Sequence, residues 1–176
     1  LVLVLFGFAL DANRPVLLQA TSGLFWVTTM FVSTLAVQRS TSIETTDGAR
    51  RALLLAGIEP PAVFVGKCIA VAVQLLVVEI ALLAGVLVLY SADVEAWGLV
   101  FATCLVATVG IAAAGTLLGA LVAGVRARET VLPILLLPVL APVLIGASRA
   151  FDDALGSVAV DGWSWLILLA GFGVIN

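Results

Sequence analysis

The chain has 176 residues, of which 63% are hydrophobic and 11% are charged, and its mean hydropathy is +1.28. A soluble domain is roughly half apolar and a quarter charged, so a globular core of this length could not enclose so many apolar side chains. The net charge is only −3, and the absence of histidine removes the commonest metal ligand and general base. We therefore predict an all-α integral membrane protein, because open sheet edges are not tolerated in lipid.

Six apolar segments are predicted to form transmembrane helices, since a span needs about 20 apolar residues. They cover residues 1–10, 21–38, 62–90, 96–124, 130–147 and 162–176. The first segment lacks a basic n-region and a cleavage site, so we interpret it as the end of a transmembrane helix and not as a signal peptide. We expect both terminal segments to be parts of longer helices. Residues 1–176 are predicted to form a single transmembrane domain.

The basic residues predict the orientation of these helices. Six of the eight lie in or beside the connections between spans two and three and between spans four and five: Arg39, Arg50, Arg51, Lys67, Arg126 and Arg128. The other two are Arg14 and Arg149. Because cytoplasmic loops carry an excess of lysine and arginine, we expect segment 39–61 in the cytoplasm and segment 148–161 outside. Three tryptophans near the outer helix ends suit an interfacial belt: Trp97, Trp163 and Trp165.

The longest polar stretch contains DGARRALLLAGIEPP at residues 47–61. Thr46 or Asp47 can cap a short helix there. Gly57 suits the left-handed position after its last turn, and Pro60 prevents the helix from continuing. Such a helix is shorter than the ~12–15 residues that are marginally helical alone in water. It therefore needs a surface to pack against.

The side chains of this short helix point in more than one direction. Leu53, Leu54 and Leu55 project about 100° apart, so one edge can pack on the chain's own helices while another needs a partner. Arg50 and Arg51 near its start oppose the helix dipole, which a partner carboxylate would offset. The alternative is an interfacial helix that lies on lipid headgroups with its arginines against phosphates.

The order of residues around this stretch resembles a known family. SIETTDGARRALLLAGIEPPAVFVGK, followed by a span that contains LLVVEIALL, is similar to the CcmB family (haem exporter protein B), the membrane subunit of the cytochrome c maturation exporter. The fifth span, ETVLPILLLPVLAPVLIGA, resembles the proline-rich span of that family. The resemblance covers nearly the whole chain. This chain departs from the family at Thr45 and Thr46, where charged residues are more usual.

The resemblance implies an ABC-2-like exporter permease with six spans, in which residues 47–57 form the coupling helix that docks on a separate ATPase. The chain itself would not be an enzyme. The residues matching the coupling region of the family are Glu44, Asp47, Gly48, Arg50, Arg51, Leu53, Leu54 and Gly57. The implied function is to couple ATP hydrolysis to haem handling and to release of the haem-loaded chaperone in cytochrome c biogenesis.

The implied partners are the ABC ATPase, a haem-handling membrane subunit, a small single-span subunit and a periplasmic haem chaperone. Two permease copies are expected per complex, in the bacterial cytoplasmic (inner) membrane and its lipid bilayer, with no nucleic acid. ATP would bind the ATPase and haem the partner subunits, with no cofactor or metal held directly by this chain. Two alternatives stay open: an export permease of the same fold for a lipid, glycan or drug, and a membrane scaffold that transports nothing.

One carboxylate lies within an apolar span. Glu79 is near the middle of span three, where a charged carboxylate costs about 2.5–3.5 kcal/mol on insertion scales. It should therefore face protein or be protonated. Counting from the outer helix ends places Thr108 of span four at a similar depth, so we predict a hydrogen bond between the two side chains. Its role is either a structural bond between helices or a switch on a transport pathway.

Span four contains regularly spaced small residues, and span five contains three prolines. Span four has small residues at four-residue spacing, which permits close helix packing or a dimer interface: Gly115, Gly119 and Ala123. Span five has prolines that each remove a backbone donor and are predicted to bend the helix: Pro133, Pro138 and Pro142.

Two further sequence features, the Gly66-Lys67-Cys68 sequence and the two cysteines, do not meet the requirements of a phosphate-binding loop and of a disulfide. Gly66-Lys67-Cys68 resembles the end of a phosphate-binding loop, but Pro61 stands where that loop needs a glycine and Cys68 where it needs Ser or Thr. Cys68 and Cys104 are separated by about 20 Å in depth at 1.5 Å per residue, so no disulfide is expected between them.

Overall fold

A computed structural model describes residues 2–10, 14–45, 55, 57, 59–92, 94–125, 127–157 and 161–175. Within those residues the chain forms helices and no strands. The helices are α1 Val2–Leu10, α2 Arg14–Thr45, α3 Pro60–Leu89, α4 Trp97–Val122, α5 Arg128–Ala154 and α6 Gly162–Ile175. Four of them, α2 to α5, are long and apolar enough to cross a membrane. The chain is therefore a multi-pass membrane protein, and the described parts of α1 and α6 are shorter.

Helix α4 lies at the centre of the bundle. It contacts α2, α3, α5 and α6, and most of its buried positions carry small side chains. Many outward positions of α2 and α3 expose large apolar side chains, among them Leu35, Ile69 and Ile80. This distribution of apolar side chains is the one expected of a bundle whose solvent is lipid.

Two glycines of α4 allow α2 to approach it closely. A Cβ atom on Gly115 would lie 2.7 Å from Cγ2 of Val37. A Cβ atom on Gly119 would lie 2.9 Å from Oγ1 of Thr41. Real Cβ atoms almost never come that near to other heavy atoms, so a larger residue at either position would force the contacting side chain or helix to shift. Gly115 and Gly119 thus serve packing within one chain, which is one of the two roles predicted for the small residues of span four.

The helix ends on the side predicted to face outward, here called the outer ends, are tied together by backbone hydrogen bonds, and the opposite ends are called the inner ends. The amides of Glu95 and Ala96, just before α4, both donate to the carbonyl of Ala154 at the end of α5. The carboxylate of Glu95 lies against Gly156, which has a φ of +60°. Asp153 accepts a hydrogen bond from the Gly162 amide at the start of α6. The described residues of the connections between α3 and α4 and between α5 and α6 therefore pack together.

The first turn of α6 is capped by an aspartate outside the apolar segment. The hydroxyl and the backbone amide of Ser164 both donate to the carboxylate of Asp161. These hydrogen bonds, of which the side-chain bond has the larger effect, hold the pKa of Asp161 below its usual value. The tryptophans of the predicted belt begin two helices, Trp97 at α4 and Trp163 at α6, and both are exposed.

Two helices extend further than the predicted spans. Helix α2 covers Arg14–Thr45, beyond the predicted 21–38 at both ends. Its hydroxyl side chains donate to backbone carbonyls of the preceding turn, as Thr21 does to Leu17, so polar residues are accommodated without ending the helix. Helix α5 continues through Ala154, whereas the sequence predicted an external segment from residue 148. Beyond residue 148, the side chains of Asp152 and Asp153 accept hydrogen bonds from Ser22 and from the Gly162 amide.

The prolines and the Gly66-Lys67-Cys68 sequence both lie inside helices. Helix α5 runs from Arg128 to Ala154 with its three prolines in its interior, and the bend predicted for them remains a prediction. Helix α3 contains Gly66-Lys67-Cys68. A phosphate-binding loop requires a strand, a loop and then a helix, so this geometry excludes it here. Both cysteines are free thiols, as expected.

Candidate functional site

The intramembrane carboxyl group of α3 is bonded to α4, as the sequence predicted. Oγ1 of Thr108 donates to Oε1 of Glu79 over 2.8 Å. Both side chains are almost fully buried, with 2% of Glu79 and 1% of Thr108 exposed. Glu79 therefore faces protein and not lipid, which is how an ionisable group is accommodated at this depth. The bond joins α3 to the central helix.

The second oxygen of this carboxyl group is buried without a hydrogen-bond partner among the described residues. The Cys104 thiol, one turn before Thr108 on α4, lies against the same carboxyl group. The sequence interpretation missed this contact, although the four-residue spacing of Cys104 and Thr108 places them on one helix face. One satisfied and one unsatisfied oxygen suit a protonated acid that holds two helices together, or a group that gains a partner in another state. The functional role assigned to Glu79 and Thr108 remains a prediction.

A second polar cluster lies between α2 and α5 near the outer end. The Ser22 hydroxyl donates to the Asp152 carboxylate, and Nη1 of Arg149 lies 3.8 Å from the other oxygen of Asp152. Directly below it, Phe25 stacks on Phe151 with ring centroids 4.7 Å apart. The sequence analysis predicted that Arg149 and Asp152 lie outside the membrane spans. Charge alone does not show that the buried Ser22, on a helix distant in sequence, can pair with Asp152.

At the inner end, α2 is joined to the start of α5. The Gln38 side chain donates from Nε2 to the backbone carbonyl of Glu129 over 3.0 Å. These residues border a cavity of about 280 Å³, whose polar lining also includes Arg39 and Ser42. The cavity opens beside the inner end of α2, so polar and charged groups of α2 and α5 are accessible there.

Most of the predicted coupling residues lie outside the described residues. These are Asp47, Gly48, Arg50, Arg51, Leu53 and Leu54, together with the side chain of Glu44, whose backbone is in the last turn of α2. Gly57 has a φ of +71°, which confirms its predicted left-handed conformation. Leu55 is 83% exposed. Pro60 begins α3, with Glu59 in extended conformation at the helix N-cap.

The fold and these sites were compared with known proteins. The family model described as CcmB protein matches residues 1–176, the whole chain. The chain belongs to the CcmB family. No curated protein and no solved structure matches it.

Membership of the CcmB family identifies the chain as a permease subunit of the ABC transporter of cytochrome c biogenesis, a membrane protein of haem transport that is not itself catalytic. Among the described residues no cluster of histidine, cysteine, aspartate and glutamate could hold a metal ion. In this CcmB protein, the described residues offer three candidate functional sites: the intramembrane Glu79–Thr108 pair, the outer cluster between α2 and α5, and the surface around Gly57.

Proposed function

We propose that this CcmB family member is the six-span, ABC-2-like permease that couples ATP hydrolysis in a separate ATPase to haem handling and to release of a haem-loaded chaperone. The observation that carries the proposal is the match of the CcmB model to the entire chain. The segment between Thr45 and Pro60, which separates the two long helices α2 and α3, is the coupling element in this proposal.

The local geometry supports a docking role for that segment. Helix α2 continues to Thr45 and so leads directly into the segment without an apolar break. Gly57 in its left-handed conformation ends the predicted short helix, and Leu55 beside it is largely exposed. An exposed leucine on the side that carries most of the arginines suits a groove on a partner protein that is apolar at its base and acidic at its rim.

The proposed complex contains two permease copies, the ATPase, a haem-handling membrane subunit, a small single-span subunit and a periplasmic haem chaperone, in the bacterial cytoplasmic membrane. ATP binds the ATPase and haem binds the partner subunits in this proposal. The permease contributes the surface that receives the ATPase and the helices that respond to it.

Substitutions in the segment test the docking role. Leu54→Asp should leave the permease inserted but detached from its ATPase, because an unpaired polar group in an apolar groove costs about 2–7 kcal/mol. Gly57→Pro should act in the same direction, since proline cannot adopt a φ of +71°. Arg50→Glu should weaken docking less, because an exposed ion pair contributes about 0–1 kcal/mol. The measurements are ATPase pull-down by the solubilised permease and stimulated ATP turnover.

Two matched variants serve as controls for this experiment. Val125→Asp introduces the same charge in the other inner connection, where Val125 is exposed, and should retain the ATPase. Gly57→Asn should also retain it, because asparagine tolerates the left-handed region. If Leu54→Asp keeps both the ATPase and its stimulated turnover, the segment is not the coupling element and an interfacial helix on lipid is the better interpretation. If no ATPase accompanies even the unmodified chain, the scaffold alternative replaces the permease proposal.

A further inference from the structure

A cleft of about 540 Å³ lies between α2 and α5 in the outer half of the bundle. Its polar wall is formed by Gln19, Ser148, Arg149 and Asp152. Its deeper wall is apolar and is formed by Leu24, Val27, Leu144 and Ile145. Because α2 descends from the outer end and α5 rises towards it, the polar residues lie nearer the outer surface and the apolar residues lie deeper. The cleft therefore changes from polar to apolar over about 12 Å at 1.5 Å per residue, in the direction of the membrane normal.

The polar end of the cleft is a built arrangement of opposite charges. Asp152 is 7% exposed and is held by the Ser22 hydroxyl, itself 4% exposed. Arg149 approaches the same carboxylate at 3.8 Å, which is the far limit of an ion pair, and half of its side chain is exposed. Arg149 makes no other polar contact among the described residues. Its guanidinium therefore brings N–H donors to the lining of the cleft, beside a fixed carboxylate.

The apolar end offers room along the helix surfaces. Gly23 borders the cleft, and a Cβ atom placed on it would meet no atom within 4 Å. Val27 and Ile145 on either side are about half exposed. The apolar part of the cleft is a shallow channel along the helix surfaces, open sideways to the bilayer, and lies below a charged mouth, so the cleft has the order of polarity of a glycerophospholipid.

We propose that this cleft is a binding site for one zwitterionic phospholipid of the phosphatidylethanolamine class, in the leaflet at the outer end of the bundle. The phosphate binds the Arg149 guanidinium, the ammonium group lies beside Asp152, and an acyl chain occupies the channel next to Gly23. The two charges of the headgroup complement the two charges of the site. An anionic lipid such as phosphatidylglycerol satisfies Arg149 but leaves Asp152 facing an added negative charge, and so binds less tightly.

Native mass spectrometry of the full chain in mild detergent, titrated with dioleoyl phosphatidylethanolamine and phosphatidylglycerol in competition, tests the proposal. The unmodified chain should retain one phosphatidylethanolamine in preference. Arg149→Gln should weaken that binding roughly tenfold, the effect of one hydrogen bond to a charged group. Asp152→Asn should remove the preference between the two lipids, because asparagine still accepts from Ser22 but carries no charge. Gly23→Leu should displace the lipid by filling the channel.

Matched variants elsewhere in the chain separate the site from general effects. Arg39→Gln removes an exposed arginine at the inner end, and Gly171→Leu adds the same side chain at a glycine of α6 that also has open space around it. Both should bind phosphatidylethanolamine like the unmodified chain. If Arg149→Gln does not purify as a folded protein, Gly23→Leu decides, since it leaves every polar contact in place.

Two outcomes would overturn the proposal. In the first, Arg149→Gln or Gly23→Leu, purified as a folded protein, binds phosphatidylethanolamine as tightly as the unmodified chain. In the second, Gly23→Leu converts a dimer into a monomer without altering lipid retention, which would mean that a second copy of the chain covers the cleft.

Discussion

The contact between α2 and α4 makes a quantitative prediction for Gly115→Ala. The added methyl group would lie 2.7 Å from Cγ2 of Val37, a β-branched side chain that is 2% exposed. Val37 has one strongly preferred rotamer in a helix and cannot turn away. Either the valine leaves its rotamer or α2 moves away from α4.

The size of the effect follows from two opposing terms. Overpacking a tight contact costs about 1–3 kcal/mol. Replacing a glycine in a helix by alanine stabilises by about 0.5–1 kcal/mol. The net expectation for Gly115→Ala is a loss of about 1 kcal/mol in the free energy of unfolding. Gly66→Ala in α3 is the matched control, because no atom lies within 4 Å of its Cβ position, and it should show only the gain.

The assay is SDS unfolding in mixed micelles, followed by tryptophan fluorescence. The difference between Gly115→Ala and Gly66→Ala removes the helix-propensity term and should equal the overpacking cost alone. In a Val37→Ala background, Gly115→Ala should show only the helix-propensity gain of about 0.5–1 kcal/mol, as Gly66→Ala does, so the double-mutant cycle should give a coupling energy of about 1–3 kcal/mol, equal to the overpacking cost. If Gly115→Ala behaves like Gly66→Ala and instead changes the fraction of dimer, the glycines form a dimer interface and the reasoning from the α2–α4 contact is wrong.

The remaining predictions concern the intramembrane bond, the orientation and the outer helix cap. If Glu79 forms a neutral structural bond, Glu79→Gln should preserve cytochrome c maturation and Glu79→Leu should abolish it. Thr108→Val should lower the unfolding free energy by about 0.6–1.7 kcal/mol. A Glu79→Leu variant with normal cytochrome c maturation would exclude both the structural and the switch role of Glu79. In a cysteine-free background, Ser42→Cys should react with a membrane-impermeant maleimide only from the cytoplasm and Ser157→Cys only from outside, and the reverse would overturn the orientation. The cap at Asp161 has a lowered pKa, so its stabilisation is present above the unfolded pKa of about 3.9 and is lost as the pH falls through the lower folded value. The protection factors of the amides in the first turn of α6, which are exchange rates corrected for their intrinsic pH dependence, should therefore fall in acid. Asp161→Asn should remove that dependence, and an unchanged profile of protection factors in Asp161→Asn would show that another group controls it.

The helices themselves could be predicted from the sequence because lipid imposes a strong composition signal. Runs of apolar residues placed the cores of four long helices correctly, and the shared depth of Glu79 and Thr108 was enough to predict their hydrogen bond. The left-handed conformation of Gly57 could also be predicted, because few residues other than glycine suit the position that ends a helix before two prolines.

The helix ends and the outer polar cluster could not be predicted in the same way. Hydropathy ends a span at the first polar residues, yet Asp152 lies inside α5 because Ser22 of α2 donates to it. That pair is far apart in sequence, so only the packing of α2 on α5 reveals it. Likewise, small-residue spacing marked Gly115 as a close contact but did not identify Val37 as its partner.

The contact between α2 and α4 predicts that loss of helix packing and loss of ATPase docking can occur separately. Helix α2 runs without interruption to Thr45, where the proposed coupling segment begins, and is held against α4 at Gly115. We therefore expect a displacement of the segment to move α2 together with α4, because Val37 is closely packed against Gly115. Gly115→Ala acts on this shared unit and should lower the unfolding free energy while the ATPase stays bound. Leu54→Asp acts on the docking surface and should release the ATPase while the unfolding free energy is unchanged. If either variant both releases the ATPase and lowers the unfolding free energy, the docking surface and the helix packing form one cooperative unit. That result would contradict the expectation that the two properties are lost separately.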